Sequence, residues 1–227
     1  MFFFSPLDLL FLVPALAFSL FAQYKVWSTY SRYSRERASS GLTAAQVARR
    51  LLDRAGLYHV KVEAVPGQLT DHYDPRSKTL RLSAPESTSV AAIGVAAHEA
   101  GHAIQDAQGY APLVLRNAMV PVANFGSMLA FPLLLAGFFL KMGGLIWLGI
   151  IVFSAAVLFT LITLPVEFDA SRRAVRILSE GGAIVSPPEL GMVRKVLNAA
   201  ALTYVAAAAT AVLELIRLVL IARSSER

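Results

Sequence analysis

The sequence predicts a mainly α-helical integral membrane protein, with about four transmembrane helices and a small α+β unit outside the bilayer. Three observations predict it. The 227 residues are 56% hydrophobic and 16% charged, against about 45–50% and 25% in soluble domains. Four stretches approach the roughly 20 apolar residues that a bilayer crossing needs. Between the first and second of them lies a segment of ordinary polarity with the turn and capping signals of a folded unit.

The first span covers residues 2–22, with Asp8 its one charge near the outer end. No basic leader precedes it. Lys25, Arg32, Arg35 and Arg37 follow it, which favours a retained anchor over a cleaved signal. Tyr24, Trp27, Tyr30 and Tyr33 suit an interfacial aromatic belt. Thr43 and Gln46 spell a capping box; Val47, Leu51 and Leu52 continue at helical spacing, and Gly56 is the stop. Val60, Val62 and Val65 before Pro66-Gly67 predict a short strand and a turn, and Asp74-Pro75 predicts a second turn. Thr79-Leu80-Arg81-Leu82-Ser83 alternates as a half-buried strand should. After Pro85, Ser87 or Ser89 caps a helix that runs to about Gln108 and stops at Gly109; it is too short and too polar for a span. Residues 119–140 and 145–165 carry no charge between them except in their loop, and predict a transmembrane hairpin. Residues 199–221 form a weaker span, where Glu214 and Arg217 lie i, i+3 and can pair.

This gives an anchor at 1–24, an extramembrane unit at 25–118, the hairpin at 119–165, a second extramembrane segment at 166–198, and a terminal helix and tail at 199–227. Residues 23–118 hold 12 Lys+Arg and residues 166–198 hold 5, so 17 of 21 lie on one side. The positive-inside rule makes that side cytosolic. The net charge of +6 therefore reads as topology. The cations form no aromatic-interleaved patch and no nucleic-acid module is present, so nucleic acid is excluded as a partner.

There is no cysteine, which excludes disulfides, Cys-ligated zinc and iron–sulfur clusters. Any metal must be held by His, Asp or Glu. Of four histidines, two fall in His98-Glu99-Ala100-Gly101-His102, an H-E-x-x-H run on the predicted helix. Positions i and i+4 share a helix face, so two imidazoles can aim at one ion while Glu99 takes a proton from a water. Catalytic zinc takes three protein ligands and keeps one position open. Glu167, in Pro165-Val166-Glu167-Phe168-Asp169-Ala170-Ser171, is the leading candidate for the third; Asp169 and His72 are alternatives.

Three runs together resemble a known family: Leu69-Thr70-Asp71-His72-Tyr73-Asp74-Pro75, the run from Ala96 to Gln105, and the run from Pro165 to Ser171. Over nearly the whole chain the sequence resembles the YugP-type neutral zinc metallopeptidases of bacterial membranes. That resemblance implies one catalytic zinc ligated by His98 and His102, Glu99 as catalytic base, Glu167 as third ligand, and a zincin-like extramembrane unit. A looser likeness is to HtpX-type membrane proteases, in which the later Glu is followed four positions on by Asp. Here that position is Ser171, and Asp169 stands only two residues after Glu167. A +2 side chain points away from the +4 face, so the orienting role of that Asp does not transfer directly.

The expected function is zinc-dependent endopeptidase cleavage of peptides or membrane-protein segments at the cytosolic face of the bacterial cell membrane. His72 or Tyr73 is expected to contact the substrate carbonyl. An extended substrate is expected to add to the edge of the strand at 79–83. The rival readings are a zinc-binding membrane scaffold without proteolysis, which a closed four-ligand site would favour, and an apolar membrane partner protein whose motif is accidental.

Overall fold

The computed structural model describes residues 6–180 and 184–225; the first four residues of the predicted anchor, 2–5, lie outside the described residues. In chain order the elements are α1 (Pro6–Tyr33), α2 (Ala44–Arg54), β1 (Lys61–Ala64), β2 (His72–Asp74), β3 (Thr79–Leu82), α3 (Val90–Ala107), α4 (Ala111–Phe139), α5 (Gly143–Glu180) and α6 (Pro187–Ser225). They divide into two compact units. One contains Met1–Gln23, Val114–Pro165 and Thr203–Arg227; the other contains Tyr24–Leu113 and Val166–Leu202.

In the first unit, stretches of α1, α4, α5 and α6 supply four helices long and apolar enough to cross a membrane. Their large apolar side chains mostly face outward: Phe125, Phe131, Phe139 and Ile151 are all exposed. In water this would be a liability; against lipid tails it is the expected surface. Helix pairing here uses small residues. A Cβ on Gly126 would stand 2.8 Å from the Val152 carbonyl oxygen, so α4 and α5 approach backbone to backbone. Ser19 and Thr210 hydrogen-bond at 3.1 Å between α1 and α6. Glu214 and Arg217 form an ion pair at 2.6 Å, which lowers the cost of placing both on an apolar helix.

The second unit carries the polar chemistry. Thr43 and Gln46 form a reciprocal capping box that starts α2. Its face of Ala44, Val47, Ala48, Leu51 and Leu52 is buried in a core shared with α3. The sheet order is β1-β3-β2, with β1 parallel and β2 antiparallel to β3. β3 is therefore the central strand, and the expectation of a substrate on its edge is corrected: β1 and β2 already occupy both sides. The free edges belong to β1 and β2. β2 itself went unread, because His72-Tyr73-Asp74 has no alternation of its own and exists through pairing with β3. The turn at Asp74-Pro75 closes that hairpin, with the Asp74 carboxylate accepting from Arg76 N at 3.0 Å and Ser77 Oγ at 2.7 Å.

Ser89 caps α3, its hydroxyl accepting from Ala92 N at 3.2 Å. This helix is sunk in the unit almost all round, which its run of Ala and Gly permits. α5 does not stop at Pro165 but continues to Glu180, and Ala170, Ala174 and Leu178 bury the continuation. A Cβ on Gly101 would lie 2.8 Å from the Ala170 carbonyl oxygen, whereas one on Gly94 would meet only the Val193 side chain at 3.1 Å. Backbone cannot swing aside as a methyl can. Gly101→Val is expected to cost about 1–3 kcal/mol through overpacking, and Gly94→Ala distinctly less. Thermal unfolding of the two variants in detergent checks the order.

Candidate metal centre

α3 places His98 and His102 one turn apart, with ring centroids 4.7 Å apart and planes at 84°. α5 brings Glu167 to the same point. Ligand atoms from the three residues all lie within 4.8 Å of one another. His98 Nε2 is 3.2 Å from Glu167 Oε2, and His102 Nε2 is 3.6 Å from Glu167 Oε1. Two ligands about 2.0–2.1 Å from a tetrahedral zinc stand roughly 3.3 Å apart, so these separations suit a shared ion. The donor set of two imidazoles and one carboxylate is also that of open catalytic zinc sites.

The ring nitrogens turned away from this point are held as well. His98 Nδ1 lies 3.2 Å from Ser171 Oγ. His102 Nδ1 lies 2.9 Å from Gln105 Oε1. The amide of Gln105 cannot flip without loss, because its Nε2 donates to Val166 O at 2.9 Å and to Asp169 Oδ2 at 2.8 Å. Its oxygen must then accept from His102 Nδ1–H, which leaves the Nε2 lone pair facing Glu167. Asp169 is anchored in turn by Arg173, which also reaches Gln108 and lies over the Tyr110 ring. Asp169 is thus not among the clustered ligand atoms; it steadies a histidine at one remove.

Glu99 is buried beside the cluster. Burial is the main force on its carboxyl and raises it to about 7; the His98 ring pulls it down, Glu167 and Asp71 push it up, and the Tyr73 backbone amide pulls it down by hydrogen bonding. The structure does not bring the side chains of His72 and Tyr73 into the cluster. His72 is exposed, with Nδ1 2.8 Å from Thr70 O. The Tyr73 hydroxyl donates to Asp106 Oδ2 at 2.7 Å, and burial together with that bond raises its pKa.

Gln105 and Ser171 were the residues that motif reading passed over. Gln105 had a signal, as a polar side chain three residues after His102 and so on the same face of the helix. Ser171 had a weaker one, since it occupies the position where the HtpX pattern places Asp.

A pair of histidines and a carboxylate that could share a metal ion, in a chain with four span-length apolar helices, is the set of features expected of a metal-binding membrane protein. The family described as "Putative neutral zinc metallopeptidase" matches residues 8–223, and the chain belongs to it. It is similar to "Putative membrane protease YugP" of Bacillus subtilis (strain 168), at 54% identity over 211 residues, covering 92% of this chain and 93% of the relative. No solved structure matches the chain. Family and relative together support a membrane-bound protease that uses zinc.

Two outcomes follow from this geometry. Gln105→Leu should weaken zinc binding about 10–100-fold, as loss of a ligand-orienting partner does elsewhere; competition with a chromophoric chelator measures it. In zinc-free protein, the raised Glu99 carboxyl makes the folded state hold a proton that the unfolded chain, at its ordinary 4.5, has released. That contribution of Glu99 to stability should be full below about 4.5 and fall away as pH rises toward about 7. Glu99→Gln should flatten that slope in thermal melts taken across the window.

Proposed function

We propose that the protein is a zinc-dependent endopeptidase that hydrolyses peptide bonds in membrane-protein segments at the cytosolic face of a bacterial cell membrane. The convergence of His98, His102 and Glu167 within 4.8 Å, with Glu99 buried alongside, is the observation that carries this reading. Among the described residues the cluster has three donors, and a three-donor set favours catalysis over a purely structural role.

A zinc ion held there supplies Lewis acidity, polarising the scissile carbonyl and acidifying the attacking water. The chain's own residues do the rest. His98 and His102 present Nε2 inward because Ser171 and Gln105 hold Nδ1. Glu99 accepts a proton from the attacking water and hands it to the leaving amine; a carboxyl near 7 can both take and release a proton at neutral pH. The Tyr73 amide faces Glu99, so the outer edge of β2 runs past the reacting centre. An extended substrate lies along that edge by backbone pairing. The Tyr73 hydroxyl is engaged by Asp106, which leaves the exposed His72, on the same strand, as the residue to contact substrate.

The orientation rests on the cation count, 17 of 21 in residues 23–118 and 166–198. The three arginines of the tail run against it, but Arg217 is neutralised by Glu214. Cleavage of a peptide library in detergent, with metal content measured alongside, tests the activity. Glu99→Gln should retain zinc and lose cleavage by about 10²–10⁴-fold. Cleavage at the wild-type rate in that variant would remove Glu99 from the mechanism.

A further inference from the structure

We propose that the second unit carries a binding site for the headgroup of an anionic phospholipid, in the groove between the start of that unit on α1 and the face of α6 that opposes it. The groove holds about 570 Å³. Lys25, Ser28, Thr29 and Arg32 line it from α1, at the i, i+3, i+4, i+7 spacing of one helix face. Lys195 and Asn198 line it from α6. Three cations, three hydroxyl-bearing residues (Ser28, Thr29 and Tyr33) and an amide line it, and among the described residues no carboxylate does. None of the three cations has an ion-pair partner among the described residues.

Three like charges brought together without a counterion repel one another, and an anion relieves that repulsion. The donor set suits a phosphate diester: ammonium and guanidinium for the charge, and the Thr29 hydroxyl and Asn198 amide for the remaining oxygens, the Ser28 hydroxyl being given to Lys25 O at 3.2 Å. Position selects the source. The apolar run of the first span ends at Ala22, three residues before Lys25, and the exposed aromatics Tyr24 and Trp27 flank it. Those are the marks of headgroup depth, where basic pockets between helices take anionic lipids. The groove and the metal centre draw on different residues: none of His98, Glu99, His102, Glu167, Gln105 or Ser171 lines the groove.

The test uses the full-length protein in mild detergent, followed by native mass spectrometry with added phosphatidylglycerol, phosphatidylcholine or inorganic phosphate. Phosphatidylglycerol should be retained about tenfold or more over phosphatidylcholine, and millimolar inorganic phosphate should not displace it. Lys25→Gln/Arg32→Gln/Lys195→Gln should lower retention about tenfold or more, while the charge-preserving Lys25→Arg/Lys195→Arg should keep it. Arg50→Gln/Arg54→Gln/Arg76→Gln removes the same charge from exposed positions elsewhere and should change nothing. Equal loss in that control, undiminished retention in the triple groove variant, indifference to headgroup, or displacement by inorganic phosphate would each overturn the proposal. Displacement by an acidic peptide would overturn it too, by giving the groove to substrate.

Discussion

The contact of α3 with α5 at Gly101 and Ala170 is the constraint on which the site depends. A backbone carbonyl sits where a side chain would begin. Only at that separation does a carboxylate of ordinary reach on α5 meet two imidazoles on α3. Gly101 lies inside the H-E-x-x-H run, so one pentapeptide sets both the ligand face and the distance to the helix that completes it. Ala97 and Ala100 on α3 and Ala170 and Ala174 on α5 are likewise small and fully buried. The same thinness that lets the helices close also leaves little side-chain volume to fill, which makes the packing intolerant of additions.

Closing the helices buries charge. Glu99 and Glu167 are both withdrawn from water, near each other. Buried carboxylates are costly unless they are paired or protonated. The two resolve this differently. Glu167 faces both imidazoles and has a ready partner in anything cationic they can hold. Glu99 has a backbone amide and one ring to lower it but two carboxylates, Glu167 and Asp71, to raise it, so burial dominates and lifts it toward neutrality. One turn of helix therefore yields a ligand-facing carboxylate opposite and a proton-carrying one alongside, with the difference set by surroundings rather than by residue type.

Local signals in the sequence carried most of the architecture. The capping box at Thr43 and Gln46, the cap at Ser89 and the uncharged runs of the hairpin each depend on residues within one turn or one span. The H-E-x-x-H run is likewise local, and it gave His98, Glu99 and His102 their positions on α3. What failed was non-local. The order of the three strands depends on which segments pair across the unit, so the strand with the clearest alternation was taken for an edge when it is the centre. β2 is three residues long and has no pattern apart from its partner. Gln105 gains its meaning from Val166 and Asp169, about sixty residues further on, which no spacing within α3 can reveal. Glu167 is the leading candidate for the third ligand in the sequence, but Asp169 and His72 stay open beside it until α5 is seen to reach α3.

The departure from the HtpX-like pattern has a physical resolution. Where that pattern places a carboxylate four residues after the ligand, Ser171 stands, and its hydroxyl reaches His98 Nδ1. Asp169, at +2, faces another direction and meets the Gln105 amide instead. The negative charge is therefore moved one bond network away from the rings. A hydroxyl and an amide orient imidazoles without ionising toward them, so they raise ring basicity less than a direct carboxylate does. The guanidinium of Arg173 then balances Asp169 where a ring nitrogen otherwise would. Orientation and charge, supplied by one residue in the other arrangement, are here separated between neighbours on α3 and α5.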